Sequence, residues 1–389
     1  MAGQEAERVM PEDCVATTHP IHPPRREEDR LDWLRLLRSR RVGPTTFFRL
    51  MAEHGTAAAA LAALPGIARA AGVDSYATCP EAVVRAELKA GRLAGAKLLA
   101  WGEAGYPAAL AELPDPPPLL WIQGDAALLA RPMIALVGAR NASSLGTRMA
   151  RALAEGLGRA GFVVVSGLAR GIDTAGHLAA LPTGTVAVMA GGVDVVYPAE
   201  NAVLAQEIGE RGLRLSDQPM GEVPQARHFP RRNRLVAGLA RAVIVVEAAA
   251  QSGSLITARC ALDQGREVMA VPGHPMDARA SGCNMLIRDG AVLIRGADDV
   301  IEALGAPAPA RPRPAAVEIA APPPERRSLA ETSALHGRIL ARLGPSPLAE
   351  DQLIRDLDLP ASAIGPELLA LELDGRIERR AGGLLTLVT

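Results

Sequence analysis

Apolar and polar positions change rhythm along the chain. From Asp29 to about Leu93, apolar residues recur at helical spacing in an alanine-rich background. Leu31-Asp32-Trp33-Leu34-Arg35-Leu36-Leu37 is typical, and Arg41-Val42-Gly43-Pro44 and Leu64-Pro65-Gly66-Ile67 interrupt the pattern. This predicts short helices joined by glycine-containing turns. From Pro132 to about Leu304, short β-branched runs alternate with helical stretches. The runs are Ile134–Val137, Phe162–Val165, Val186–Met189, Ala242–Val246, Val268–Val271 and Ala291–Ile294. Strands so continuously apolar are buried on both faces, which predicts a doubly wound α/β domain with a parallel sheet. Near the C-terminal end, Leu335–Leu343, Leu348–Leu357 and Ala361–Asp374 read as three helices. Arg376–Arg380 and Leu384–Val388 read as a hairpin around Ala381-Gly382-Gly383, completing a winged helix.

Proline marks the joints. Residues 1–27 are polar, carry Pro11, Pro20, Pro23 and Pro24, and read as a disordered tail. Residues 94–131, with Pro114, Pro116, Pro117 and Pro118, read as a connector, and residues 305–327, with seven prolines, as an extended linker. The expected domains are therefore 28–93, 132–304 and 328–389.

Composition narrows the function. Of 389 residues, 49% are hydrophobic and 22% charged, which excludes a chain disordered throughout. The net charge is −1, so a polyanion must be met by a local patch. Lys89 and Lys97 are the only lysines, so a phosphate site here consists of guanidinium forks. Aromatic residues amount to 3%, leaving few stacking platforms. Cys14, Cys79, Cys260 and Cys283 form no C-x-x-C pair or metal-ligand cluster, which favours cytoplasmic thiols and no zinc. The chain opens without a signal-like segment and has no apolar run of about 18 residues, so no membrane span is expected.

Candidate chemistry gathers at strand ends, where open α/β sheets bind ligands. The first strand of the α/β region runs into Gly138-Ala139-Arg140-Asn141-Ala142-Ser143-Ser144. Gly138 permits a tight turn, Ser143 or Ser144 can cap the next helix, and Arg140 offers a fork beside its N-terminus. The dinucleotide fingerprint G-x-G-x-x-G is absent here, and no cofactor is expected. The second strand ends in Gly167-Leu168-Ala169-Arg170-Gly171-Ile172-Asp173, with His177 a turn later. Asp173 and His177 read as a helix cap and a buried histidine rather than an acid–base pair, because no nucleophile or metal set accompanies them.

The strongest electrostatic signal lies between Gln225 and Arg241. Arg227, Arg231, Arg232, Arg234 and Arg241 occur there without an acidic residue, and Phe229-Pro230-Arg231-Arg232-Asn233-Arg234 leads a helix. Arginines at a helix start oppose its dipole and so suggest an external polyanion, although a solvated basic face is the plainer reading. Ser252-Gly253-Ser254 opens a further helix after Glu247. Phe229, Tyr197 and guanidinium planes are the available stacking surfaces. Backbone-dominated, salt-sensitive, sequence-tolerant binding is therefore expected.

These stretches, in this order, resemble the DNA-processing protein A family (DprA, also called Smf). The resemblance is carried by Val137–Arg140, Ser166–Asp173, Gly192-Val193-Asp194 with Tyr197-Pro198, Phe229–Arg234, Glu247 with Ser252–Ala258, and Val271-Pro272-Gly273. It implies an extended Rossmann-like domain between an N-terminal helical module of SAM or helix-hairpin-helix type and a C-terminal winged helix. It also implies single-stranded DNA binding and loading of a RecA-type recombinase in natural transformation, alongside a single-strand-binding protein and as a homodimer, without catalysis. Under this resemblance Arg140, Ser144, Arg170, Phe229, Arg231, Asn233 and Arg234 line the DNA groove. Gly138, Gly167, Gly171, Ser252, Gly253 and Ser254 give the backbone its close approach. Gly176 stands where the family usually has alanine, and Asp217 where it usually has glutamate.

Three alternatives bear on this. The helical module reads either as a backbone-contacting module or as a packing or dimer module. Residues 329–389 carry nine acidic against six basic residues, and Ala361–Asp374 has no lysine or arginine, so the winged helix is expected to meet protein or its own chain rather than duplex DNA. A phosphoribohydrolase-like enzyme using Glu247 with Arg170 or Arg234 is the rival activity, but Ala248-Ala249-Ala250 replaces the glycine-rich run that chemistry requires.

Overall fold

In the computed structural model of the chain, residues 19–70, 75–306, 329–344 and 347–359 are described, together with 364, 367–368, 370–372, 374, 376–380 and 384–387. These residues form two compact units. One holds the described residues of 20–52 and 79–320, and the other those of 53–78 and 321–389 with His19.

The N-terminal region contains α1 (Glu27–Arg38), α2 (Pro44–His54), α3 (Ala57–Ala70) and α4 (Glu81–Leu93). Helix α1 opens on Glu27, Glu28 and Asp29 and closes on Arg35 and Arg38, matching the helix dipole. Asp29 accepts the Arg26 backbone N–H at 3.1 Å, and Pro44 sits at the first position of α2, where no N–H is needed. Trp33, Phe47, Phe48 and Trp101 form a chain of edge-on ring contacts with centroids 5.0, 5.4 and 5.2 Å apart.

Nine strands form one sheet: β1 (Lys97–Ala100), β2 (Leu119–Gly124), β3 (Met133–Gly138), β4 (Val163–Ser166), β5 (Thr185–Val188), β6 (Leu213–Ser216), β7 (Ala242–Glu247), β8 (Glu267–Ala270) and β9 (Val292–Leu293). Their order is β1-β2-β6-β5-β4-β3-β7-β8-β9. From β6 to β9 the pairing is parallel, while β1 and β2 add an antiparallel edge. The intervening helices are α5 (Ala108–Ala111), α6 (Ser144–Arg159), α7 (Ile172–Ala180), α8 (Ala202–Arg211), α9 (His228–Leu239), α10 (Ser254–Asp263), α11 (Ser281–Arg288) and α12 (Ala297–Leu304). The core lies on the central strands, where Ile134, Leu136, Val164 and Ile244 are fully buried beneath Leu153 and Leu157 of α6. Each such side chain contributes about 1.5–3 kcal/mol by leaving water.

The doubly wound α/β architecture expected from the strand pattern is present. The supposed connector differs: residues 94–131 supply β1 and β2, and Trp121 pairs with Ser216 of β6. Its proline cluster hid two short strands: the prolines end immediately before β2, and β1 forms the sheet edge. Strand β6 was also not legible, because Arg214 interrupts its apolar run. The assumed tail reaches less far: Pro24 is buried and α1 starts at Glu27, while residues 1–18 lie outside the described residues.

The second unit contains α3, α13 (Leu329–Arg342), β10 (Leu348–Ala349), α14 (Glu350–Leu357), β11 (Ile377–Arg380) and β12 (Leu384–Leu387). Strands β10, β12 and β11 form a small antiparallel sheet, so Leu348 begins a strand rather than a helix. Leu335, Ile339, Leu353, Leu368 and Leu385 share its core. All but the first two residues of the expected linker at 305–327, the Ala381–Gly383 turn and much of the third helix fall outside the described residues. No helix among the described residues is long and apolar enough to cross a membrane.

Candidate nucleic-acid interface

The chain runs outward from β3 through β4 and β5 to β6, then crosses back to β7 beside β3. The switch point therefore lies between β3 and β7, where open α/β sheets usually hold a ligand. Here the chain fills that crevice itself. A Glu247 carboxylate oxygen accepts the Ser143 backbone N–H at 2.9 Å, and the carboxylate also lies against Gly146. Ser143 is the N-cap of α6, accepting the Gly146 N–H at 2.9 Å. Arg279 approaches the other Glu247 oxygen at 3.4 Å. The anion expected at this helix N-terminus is thus an internal carboxylate, and Ser144 lies exposed at its rim. Ser252 and Ser254, hydroxyls 2.7 Å apart, stand across the crevice with Gly253 exposed between them.

The open surface lies on the other side, over β3, β4 and β5. Arg140 is exposed on the loop after β3, with its guanidinium 5.5 Å from the centre of the Phe229 ring. Tyr197, half exposed after β5, meets the same ring at 5.7 Å. Arg231 projects into solvent from the first turn of α9. Arg170 is exposed on the turn before α7, 3.7 Å from Glu200. That turn docks on the Arg140 loop, because the Ile172 N–H donates to the Ala139 carbonyl at 3.2 Å. One exposed guanidinium, that of Arg140, therefore lies over a partly exposed aromatic ring, with Arg170 and Arg231 exposed on neighbouring turns.

Arg232 supports this surface from beneath. It is buried, its guanidinium lies 6.0 Å from the Phe229 ring, and it donates to the Val188 carbonyl at 3.3 Å. Burial pulls its pKa down, while the nearby Asp173 charge opposes the shift. Asp173 does not cap α7. It accepts the backbone N–H groups of Gly167 at 3.0 Å and Ala169 at 3.3 Å, and Gly171 takes the cap position. Burial raises the Asp173 pKa, and Arg232 acts against this.

His177 is not placed for acid–base work. Thr185 donates its one hydroxyl proton to the Val164 carbonyl at 2.9 Å, so it must accept from His177 Nδ1, 2.7 Å away. The imidazole is therefore the Nδ1–H tautomer, with Nε2 buried and unpartnered. Burial, with Arg232 as a smaller cause, pushes its pKa down to about 3.

The glycines serve the fold before any ligand. Added carbons at Gly138 would meet Ile172 at 2.6 Å and the Glu247 carbonyl at 2.9 Å. At Gly167 the space is taken by Arg232. At Gly171, which has φ +78°, it is taken by the Ala139 carbonyl. Open space surrounds Gly253.

Arg234 stands apart from the other sequence candidates. Its guanidinium donates to the Asp115 carbonyl at 2.8 Å and to the Asp115 carboxylate, fastening α9 to the segment before β2. Both bonds leave from one guanidinium nitrogen and pair the charge of Arg234 with a carboxylate, unlike the exposed Arg140 and Arg231. Sequence reasoning could not anticipate this, because Asp115 sits in what read as a connector. Asn233 is half-buried beside it. Reasoning also passed over Arg232, whose burial no local pattern reveals. The rival hydrolase loses its acid: Glu247 is tied to Ser143 and Arg279, while Arg170 faces Glu200 and Arg234 faces Asp115.

A mostly parallel Rossmann-like sheet with an antiparallel edge and exposed arginines on its strand-end turns defines an extended Rossmann-like class of α/β proteins. Within it, the chain belongs to the DNA recombination-mediator protein A family. Residues 97–305 match that family's model. Residues 27–90 match a DprA-like N-terminal HHH domain, and residues 322–383 a DprA winged helix domain. The DNA processing protein DprA of Streptococcus pneumoniae is 46% identical over 198 residues, covering 50% of this chain and 70% of that protein. Protein Smf of Escherichia coli is 36% identical, covering 72% and 75%. The X-ray structure of DprA from Streptococcus pneumoniae superposes with a TM-score of 0.52 at 39% identity, covering 61% of this chain and 86% of that one. A Helicobacter pylori DprA structure, described as giving insight into a single-stranded DNA binding mode, superposes with a TM-score of 0.50 at 33% identity, covering 54% and 95%.

Proposed function

We propose that this recombination mediator binds single-stranded DNA across the strand-end surface, with Arg140, Arg170 and Arg231 meeting phosphates and Phe229 stacking on a base. The observation that carries this reading is the Phe229 ring, held between the Arg140 guanidinium at 5.5 Å and Tyr197 at 5.7 Å. A flat apolar face flanked by cations suits an unpaired base with its phosphates, whereas a duplex keeps its base faces covered. Ser144 at the rim of the filled crevice, the Ser252–Ser254 turn across it and Asn233 beside Arg234 extend the contact beyond this surface. The role of Arg234 is to fix α9.

The protein hands the strand to a RecA-type recombinase during natural transformation, without chemistry of its own. It works in the cytoplasm as a homodimer, in the company of a single-strand-binding protein. Its winged helix meets protein rather than duplex DNA, in keeping with the acidic balance of residues 329–389.

Fluorescence anisotropy with a labelled single strand and its duplex, over a salt series, tests the central claim. Single-strand preference with a steep salt slope, both reduced in an Arg140→Ala/Arg231→Ala variant, is the expected result. Binding untouched by that variant would remove the surface from consideration.

A further inference from the structure

A second feature lies beside this surface and is not explained by phosphate contact. A cleft of about 110 Å³ opens between the α1–α2 turn and the strand ends of the sheet. Val42, Pro44 and Pro118 give it apolar walls, Asp217 and Gln218 a polar end, and Arg231 lines it too. All of these residues belong to one compact unit. Arg231 is exposed on the strand-end surface and also lines the cleft, so the two features share a residue.

The polar end has a defined hydrogen-bonding character. The Gln218 amide nitrogen donates to one Asp217 carboxylate oxygen at 2.7 Å, and the Gln218 backbone N–H is bound by Ser216 Oγ at 3.0 Å. Among the described residues, the second Asp217 oxygen and the Gln218 amide oxygen have no protein hydrogen bond. The cleft end therefore presents two acceptors, beside the guanidinium donors of Arg38 and Arg231 and the second Gln218 amide proton. Guanine alone among the DNA bases carries two adjacent donors, N1–H and the exocyclic amino group, on its pairing edge. Adenine and cytosine set an acceptor beside their amino group, and thymine flanks its single N–H with acceptors. The apolar walls suit the faces of one planar ring system.

We propose that this cleft takes one unpaired guanine of the bound strand, with Asp217 reading its N1–H and amino edge. The proposal rests on the single-strand reading above and adds one base-selective position to an otherwise sequence-tolerant track. It also gives the α1–α2 turn a part in recognition through its shape, with Gly43 and Pro44 forming one wall.

Gly43 supplies a clean way to close the cleft. It lines the space, does not have a positive φ, and an added Cβ would meet nothing within 4 Å. A larger side chain there obstructs the cleft without straining the fold. The experiment compares the full-length protein, Asp217→Asn and Gly43→Leu by anisotropy. The probes are a labelled oligothymidylate of about twenty nucleotides and the same strand with a single central dG, dA or dC. The wild type is expected to bind the dG strand about tenfold more tightly than the others. Both variants are expected to lose that preference while keeping oligothymidylate affinity within about twofold. Equal affinity for all four strands in the wild type, or a dG preference that survives both substitutions, would overturn the cleft assignment alone. Failure of the wild type to bind oligothymidylate would overturn the single-strand reading and the cleft with it.

Discussion

Arg232 lies in the space that a side chain at Gly167 would need. The two residues are far apart in sequence, yet the buried guanidinium reaches under the β4–α7 turn and leaves no room there for even a methyl group. Gly167→Ala must therefore displace a buried charge from its place near Asp173. Uncoupling a buried charge in this way costs about 3 kcal/mol, which urea denaturation will register as a lowered midpoint. Phe229, which rests against Arg232, should lose its fixed position in the same variant.

Charge and stacking make separable contributions at the surface. Arg140→Ala should weaken single-strand binding about five- to tenfold and reduce the slope of log affinity against log salt by about 0.7. Phe229→Ala should weaken binding about tenfold and leave that slope unchanged, because a ring releases no counterions. Arg234→Ala provides the contrast. Its fork is held by Asp115, so the loss should appear in thermal stability and leave the salt slope as it was. Anisotropy titrations at several salt concentrations, with melting curves in parallel, check all three.

His177 makes the fold sensitive to acid. Its folded pKa lies near 3, against an ordinary value of 6.5, so between those limits the unfolded chain binds the extra proton. Its contribution is complete above pH 6.5 and is lost as pH falls, by up to about 1.4 kcal/mol per pH unit. Asp173, whose folded pKa is raised, works in the opposite direction near the carboxylate range. Replacing His177 with Gln should therefore flatten the decline in unfolding free energy between pH 6.5 and pH 5. Urea titrations at closely spaced pH values check the slope.

Glu247 is a structural acid. Glu247→Gln should lower stability by about 1–2 kcal/mol, because a charged acceptor at the start of α6 becomes a neutral one, while Arg279 keeps its pairing with Asp277. Incubation of the wild type with nucleoside monophosphates should release no free base by chromatography. Release that depended on Glu247 would restore the hydrolase reading.

Legibility in the sequence followed the range of the forces involved. The parallel strands could be read because burial on both faces leaves unbroken apolar runs such as Ile134–Val137 and Ala242–Val246. The exposed cations Arg140, Arg170 and Arg231 stood out because local context places them at strand ends or a helix start. Partnerships between distant segments were hidden. Arg234 with Asp115, Arg232 beneath Gly167 and Glu247 with Ser143 join residues that no periodicity connects. The antiparallel edge was missed for a similar reason: β1 is four residues long, and β2 follows a run of prolines.

Glu87 carries one last implication. This buried carboxylate on α4 accepts the Trp121 indole N–H of β2 at 2.8 Å and both nitrogens of the Arg38 fork of α1 at 2.8 and 3.0 Å. Residues 27–90 match a family model as a separate module, yet their central charge is satisfied partly from the sheet. The module is therefore not portable. Transplanted onto a foreign scaffold, it would carry a carboxylate matched to an indole left behind, so recombination between relatives at this boundary should succeed only when the partner of Glu87 travels with it.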